Sequence, residues 1–299
     1  MTKCPVCSQV FQKGDYESLA KHLASSNDKN DPFHVSWLKD YIPMPNYNNP
    51  DFVVKLKEFY KLPEGGLKTW IASKFVQRFF SEKPHPFIEA MQRPKKAIFI
   101  GFGVEYYFFL KQKVKSLAYV IAKTDKDDVQ KLEARIIMPN ILYNYEENKS
   151  EMVLLIKMLE GLGISRESLA NSMPLPPTIY SLKIWNSISE SDHWLECMSA
   201  INTMELFTCP QLKDYGAKIP FFSPSVLDNE WIPDSVKHYL KFISDPANEH
   251  SMDAIDIISN YAKELNMTEE VQSAFLRSLD ATERHLQARL TRAKQYESK

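Results

Sequence analysis

After Pro50 the chain settles into apolar residues three and four apart. Phe52, Val53, Leu56, Phe59 and Tyr60 fall at i, i+1, i+4, i+7 and i+8, one face of an α-helix. Tyr107, Leu110, Val114, Leu117, Ala118 and Ile121 keep the same spacing and predict a long helix over about 104–123. Further helices are predicted at about 66–81, 127–148, 151–162, 191–208, 246–265 and 269–295. Their stops are the Gly161-Leu162-Gly163 turn and the proline-rich stretches 173–177 and 220–233. Asp245-Pro246 reads as a helix start, with Asp as N-cap and Pro in the first helical position. No alternating stretch is long enough to demand a sheet, so the body is expected to be all-α.

Residues 1–45 differ in texture. They hold a cysteine pair, a short helical stretch, the polar break SSNDKNDP (25–32) and a second segment at 33–42. The run IPMPNYNNP (42–50) reads as a linker or turn. The expected organisation is a small module over 1–45 and a helical body over 46–299.

Composition narrows the function classes. Only 8 of 299 residues are glycine, against about 7% in typical proteins, which disfavours glycine-dependent nucleotide loops. No GxGxxG, GxxxxGK[ST] or GxSxG motif occurs. With 37 basic and 38 acidic residues, the chain lacks the cationic surplus that phosphate backbones require, so nucleic acid is not an expected partner. Four cysteines, no signal-like start and no membrane-length apolar run suggest a reducing, cytoplasmic setting.

Cys4 and Cys7 flank a two-residue knuckle. Phe11 follows four residues on, and Leu19 and His22 stand at Leu-x2-His spacing. This pattern resembles a Cys2His2 zinc finger, with Phe11 and Leu19 as its small core and zinc supplying folding energy. Two extra residues separate Phe11 from Leu19, and 11 rather than three to five lie between His22 and His34. In one continuous helix these histidines would stand about 18 Å apart, so the 25–31 stretch must loop out to return His34. The expected zinc ligands are Cys4, Cys7, His22 and His34. A redox-active or merely buried CxxC pair is the competing reading. The finger helix would expose Asp15, Glu17, Ser18 and Lys21, a mixed face suited to structure or to a protein partner rather than to DNA.

The segments 70–123, 134–147, 151–165 and 247–264 together resemble a heme-oxygenase-like helical domain, the superfamily of the TenA thiaminases, the PQQ-synthase group and the heme-oxygenase-like di-iron oxidases. The resemblance spans about 70–295 and implies a heme-oxygenase-like helical bundle of seven helices around a ligand or metal cavity. In di-iron members the ligands are a Glu, a His, a second Glu and a His-x3-Asp-x2-His group. Carried onto this chain they fall on Glu147, Glu151, Glu205, Ile243, Ala247 and His250, so four positions can hold a cofactor and two are apolar. Periodicity puts Glu205 amid Trp194, Met198 and Ile201, Glu151 in line with Leu155 and Met158, Glu147 with Ile136 and Tyr143, and His250 with Ala254 and Ile257. A carboxylate on an apolar face needs a partner, a proton or a metal. Blander roles stand beside this: Glu151 as a first-turn acid, His250 as a core histidine, Glu147 and Glu205 bonded to tyrosines. Cys197 lacks a matched nucleophile motif, His193 suits helix capping, His85 and His285 read as surface groups, and Arg284, Arg289, Arg292 and Lys294 as a solvated basic stripe.

Two functions follow as expectations. One is a metal-dependent oxidoreductase using iron or manganese at the carboxylate site on a small molecule. The other is a non-catalytic descendant whose cavity binds a ligand and whose finger recruits a protein partner; a homodimer is compatible with both.

Overall fold

The computed structural model describes residues 1–141, 150–191, 193–245 and 250–297. It begins with a two-stranded antiparallel ribbon, β1 (Thr2–Lys3) and β2 (Val10–Phe11), pairing Thr2 with Phe11 and Lys3 with Val10. The knuckle between them closes because Ser8 takes φ +64°, so that Ser8 N–H donates to Cys4 O at 3.0 Å and Cys4 N–H to Gln9 O at 2.8 Å. Helix α1 (Tyr16–Asp28) starts where the Asp15 side chain accepts from Ser18 N–H. It continues through Ser25 and Ser26, which the sequence reading put in an open loop. The chain then reverses tightly at Asn30 (φ +55°), and α2 (Pro32–Tyr41) follows with Asp31 as N-cap and Pro32 in its first turn. Helix α3 (Asp51–Tyr60) completes this end of the molecule.

The body consists of α4 (Gly66–Phe79), α5 (Pro86–Ala90), α6 (Lys96–Lys123), α7 (Asp127–Ile141), α8 (Glu151–Gly161), α9 (Arg166–Ala170), α10 (Pro176–Ser191), α11 (Trp194–Asn202), α12 (Asp234–Ile243), α13 (Ser251–Glu264) and α14 (Thr268–Glu297). Helices α6 and α14 form its axis and contact each other more extensively than any other pair of elements. Their closeness depends on Gly101: a Cβ there would lie 2.2 Å from Arg289 O and 2.7 Å from Ala293 N, both backbone atoms. Around this axis α10 and α11 pack on both helices, α7 and α8 pack on α6, and α12 covers α8. Among the described residues no helix is long and apolar enough to cross a membrane.

Several expectations need correction. The long helix starts at Lys96, and its buried line runs through Phe109, Lys113, Ser116, Leu117 and Val120, while Ala118 is exposed. The predicted 191–208 helix ends at Asn202 and tightens into a 3-10 segment, Thr203–Thr208, that carries Glu205. Helix α13 starts at Ser251; residues 246–249, which hold Pro246 and Ala247, lie outside the described residues. Helices α10 and α12 arise beside prolines read as stops. Pro176 and Pro177 instead occupy the first turn of α10, where no N–H partner is needed, and Pro233 is the N-cap of α12.

One core runs from Cys4, Leu19 and Trp37 through Trp70 and Phe275 to Ala293, with no break near residue 45. Polar bonds reinforce the junction with the start of α14. Ser273 Oγ donates to Lys3 O at 2.8 Å, Lys13 Nζ to Asn266 O at 2.7 Å, and Tyr16 OH to Glu269 Oε1 at 3.1 Å. The N-terminal amine pairs with Glu270, and Lys3 Nζ lies 2.5 Å from Glu196 on α11.

Candidate functional sites

The knuckle, α1 and α2 converge on one point. Cys7 Sγ lies 3.3 Å from His22 Nε2, His22 Nε2 lies 3.2 Å from His34 Nε2, and Cys4 Sγ lies 3.6 Å from His34 Nε2. All four donor atoms fall within 4.8 Å of one another. Tetrahedral zinc with bonds of 2.0–2.3 Å places its ligands roughly 3.3–3.8 Å apart, so donor set and spacing fit a structural zinc ion. The tight α1–α2 reversal is what returns His34. Asp31 has a double role, capping α2 and holding His34 Nδ1 at 2.7 Å. That bond leaves Nε2 facing the cluster and fixes the tautomer a metal needs. The thiols already favour sharing a single proton. The hydrogen bond from the Cys4 thiol, helped by His34 and His22, draws Cys7 down to about 3, while the same bond and burial push Cys4 up. Burial works against a charged His34, but its bonds to Cys7 and Asp31 together outweigh it and raise its pKa.

The second site is a cavity of about 90 Å³ inside the bundle. Glu151, Glu205 and His250 all line it, although they come from the start of α8, the 3-10 turn after α11 and the residue before α13. Glu147 lies outside the described residues. Ile243, the apolar position, is also in the wall. Between the two carboxylates stands Lys113 of α6, only 2% exposed, with Nζ 2.7 Å from Glu205 Oε1 and 3.4 Å from Glu151 Oε2. Glu151 Oε1 accepts from Tyr106 OH at 2.9 Å and from Tyr239 OH at 3.4 Å. Burial opposes the Lys113 charge, yet Glu151 and Glu205 reverse that effect and raise its pKa. The two carboxylates therefore share one compensating ammonium group. Among the described residues the finger cysteines and histidines are the only group of three or more metal-type donors. The described residues of the bundle do not form a donor set for iron or manganese.

Spacing did not flag three residues of this region. Lys113 sits four residues after Phe109 on the buried line of α6, and a charge in that register is the signal it carried. Arg289, assigned to a solvated stripe, is 2% exposed and lines the cavity against the rings of Phe87, Phe102 and Tyr106. Glu133, fully buried on α7, has its pKa pushed up to about 8 by burial despite an Asn202 Nδ2 hydrogen bond at 2.6 Å. Its Oε2 and Asn202 Oδ1 lack partners among the described residues, an arrangement that a carboxyl proton would relieve.

The histidines read as surface groups are buried too. His85 caps α5 by accepting from Phe87 N–H, and its Nε2 lies 3.2 Å from Glu283 Oε1. His285 is enclosed by Phe109 and Trp185, and burial, then Arg289, hold its pKa well below the ordinary value. Helical periodicity cannot reveal such burial on α14, because that helix is surrounded on nearly every side. His193 does cap α11, in a capping box with Glu196. Cys197 is buried against Ser116 O and Ser189 Oγ, with no base in those contacts.

An all-α bundle with an internal polar cavity, joined to a Cys2His2 cluster, defines a heme-oxygenase-like protein carrying a zinc finger. Residues 70–292 match the TENA/THI-4/PQQC family, and the chain belongs to it. Residues 1–61 match a C2H2 type zinc-finger. Among solved structures the chain is similar to a domain of unknown function with a heme oxygenase-like fold from Shewanella denitrificans (TM-score 0.55, 16% identity, 82% of this chain and 95% of that one). It is similar also to a TenA homolog from Pseudomonas syringae pv. tomato (0.54, 16%, 81% and 93%) and to a TenA homologue from Pyrococcus furiosus (0.50, 19%, 74% and 94%). No curated protein sequence matches the chain.

Proposed function

We propose that this protein is a small-molecule-binding member of its family rather than an iron or manganese oxidase, with the finger acting as a built-in structural element. The observation that carries the reading is Lys113. Its ammonium lies between Glu151 and Glu205, where it meets the need for positive charge that a metal would otherwise meet. What remains is a chamber of mixed character, lined by Glu151, Glu205, Tyr106, Tyr239, Arg289, several aromatic rings and His250. Such a chamber suits a small polar or amphipathic guest. The finger's inner side packs into the bundle, so any protein partner would meet its outward residues, such as Glu17, Lys21 and Ser25.

The opposing reading, an oxidase with metal on Glu147, Glu151, Glu205 and His250, draws on the three described members lining one cavity. Metal analysis separates the two. Protein purified and then loaded anaerobically with ferrous or manganous ion should retain one zinc per chain and no stoichiometric iron or manganese. One or two tightly held iron ions per chain, lost in Glu205→Ala, would overturn the proposal.

A further inference from the structure

A second space adjoins the polar chamber. Phe207, Thr208 and Phe221 form one wall of it and also one wall of a larger space of about 500 Å³. That second space is lined mainly by apolar side chains, among them Phe80, Leu212, Phe222 and Leu227. The 3-10 segments after α11, Thr203–Thr208 and Pro210–Tyr215, thus separate a small charged chamber from a greasy groove.

At the inner end stands Arg289. Its guanidinium lies 5.0–5.3 Å from the ring centroids of Phe87, Phe102 and Tyr106. Its Nε has no hydrogen-bond partner among the described residues. Glu105, the carboxylate whose charge acts on it, is already bonded by Arg292 Nε at 2.7 Å and Leu175 N–H at 3.2 Å. The Lys113 ammonium is held by Glu151 and Glu205, so it does not compete for an incoming anion. A buried guanidinium without an anion is costly, and burial draws its pKa down to about 10. Planar, bidentate binding of a carboxylate is the contact such a group makes best.

Resting on the small-molecule reading above, we infer that the ligand is an amphipathic carboxylate. Its carboxylate pairs with Arg289, and its apolar body runs past Phe207 and Phe221 into the groove. Phe221 is suited to this path, because its ring already touches Phe102, one of the rings beneath the guanidinium.

The test is titration calorimetry on the zinc-loaded full chain with three probes of equal chain length: decanoate, decan-1-ol and decylamine. Decanoate should bind saturably and at least about tenfold more tightly than either other probe, the least that a charge-assisted hydrogen-bonded pair provides. Arg289→Met should remove that preference, and Arg289→Lys should keep part of it. Leu212→Trp, which fills the groove, should weaken decanoate and decanol alike. Should Arg289→Met fail to fold, the three-probe ranking on the unaltered protein still decides. Equal binding of acid and alcohol, or no decanoate binding, overturns the assignment. Preferred binding of decylamine, lost in Glu205→Gln, would overturn it while leaving the small-molecule reading intact. Absence of binding by all three probes, together with stoichiometric iron, would overturn both.

Discussion

Replacing Lys113 with Met tests the charge logic of the bundle most directly. The methionine keeps most of the volume of the lysine stem and removes only the ammonium, leaving Glu151 and Glu205 facing each other across the cavity. Breaking a buried ion pair from one side typically costs about 3–5 kcal/mol. Glu205 keeps about a quarter of its side chain in solvent and recovers part of that loss through hydration, whereas Glu151 is largely buried and keeps its tyrosine bonds. A net destabilisation of about 3 kcal/mol near pH 8 is expected. Because the folded-state pKa of Lys113 is raised, its contribution is fully present below the unfolded value and fades only as pH rises through the folded one. The Lys113 charge is therefore constant between about pH 5 and 9. In the variant the loss should shrink toward pH 4, where carboxylates begin to carry their own protons. Urea unfolding at pH 8 and pH 4.5 measures both effects, and adding Glu151→Gln to the variant should restore part of the stability. A loss below about 1 kcal/mol, equal at both pH values, would refute the claim that this lysine compensates the two carboxylates.

Three further outcomes are expected. Cys4→Ser should release one zinc per chain and lower the melting temperature of the whole protein, since Cys4 belongs to the core shared with α14; a zinc-free variant whose bundle melts at the wild-type temperature would contradict this. Glu133 favours its protonated form when folded, so its contribution is present below its unfolded pKa near 4.5 and is lost as pH rises through about 8. Glu133→Gln, which mimics the protonated form, should therefore stabilise the protein at pH 9 by up to about 5 kcal/mol and flatten the pH dependence of urea unfolding between 5 and 8; an unchanged profile would speak against a buried proton there. Gly101→Ala drives a methyl group into the backbone of α14 and should destabilise by at least about 1–3 kcal/mol in chemical denaturation, whereas a neutral outcome would mean the α6–α14 contact is loose.

Local rules made much of this protein legible in its sequence. A 3.6-residue period depends only on which residues avoid water, so α3, α4, α8 and α14 emerge close to their true extents. A Cys-x2-Cys pair with a histidine after an aromatic and a leucine is likewise a short-range pattern, and it identified Cys4, Cys7 and His22. The fourth donor, His34, depended on a reversal at Asn30, a single residue in the left-handed region that no periodicity marks. Proline carries opposite meanings inside a helix and at its first turn, which is why α10 and α12 were missed while the stretches around them were read as loops. Inward-facing Glu151 could be named from its helical arc, and Glu205 from the arc of a helix that in fact ends at Asn202, yet what neutralises them could not. Arg289 looks like an ordinary solvated cation along the chain, and Lys113 stands out only once the buried line through Phe109 is known, because a charge is exposed or buried according to which helices surround it. Helix α6 turns Lys113 toward the two carboxylates, and α14, enclosed on nearly all sides, carries Arg289 into the same chamber. Periodicity assigns a residue to a face of its own helix. Only the packing of α6, α8 and α14 against one another decides which charges meet there, and that meeting sets whether the cavity calls for a metal, a proton or an anion.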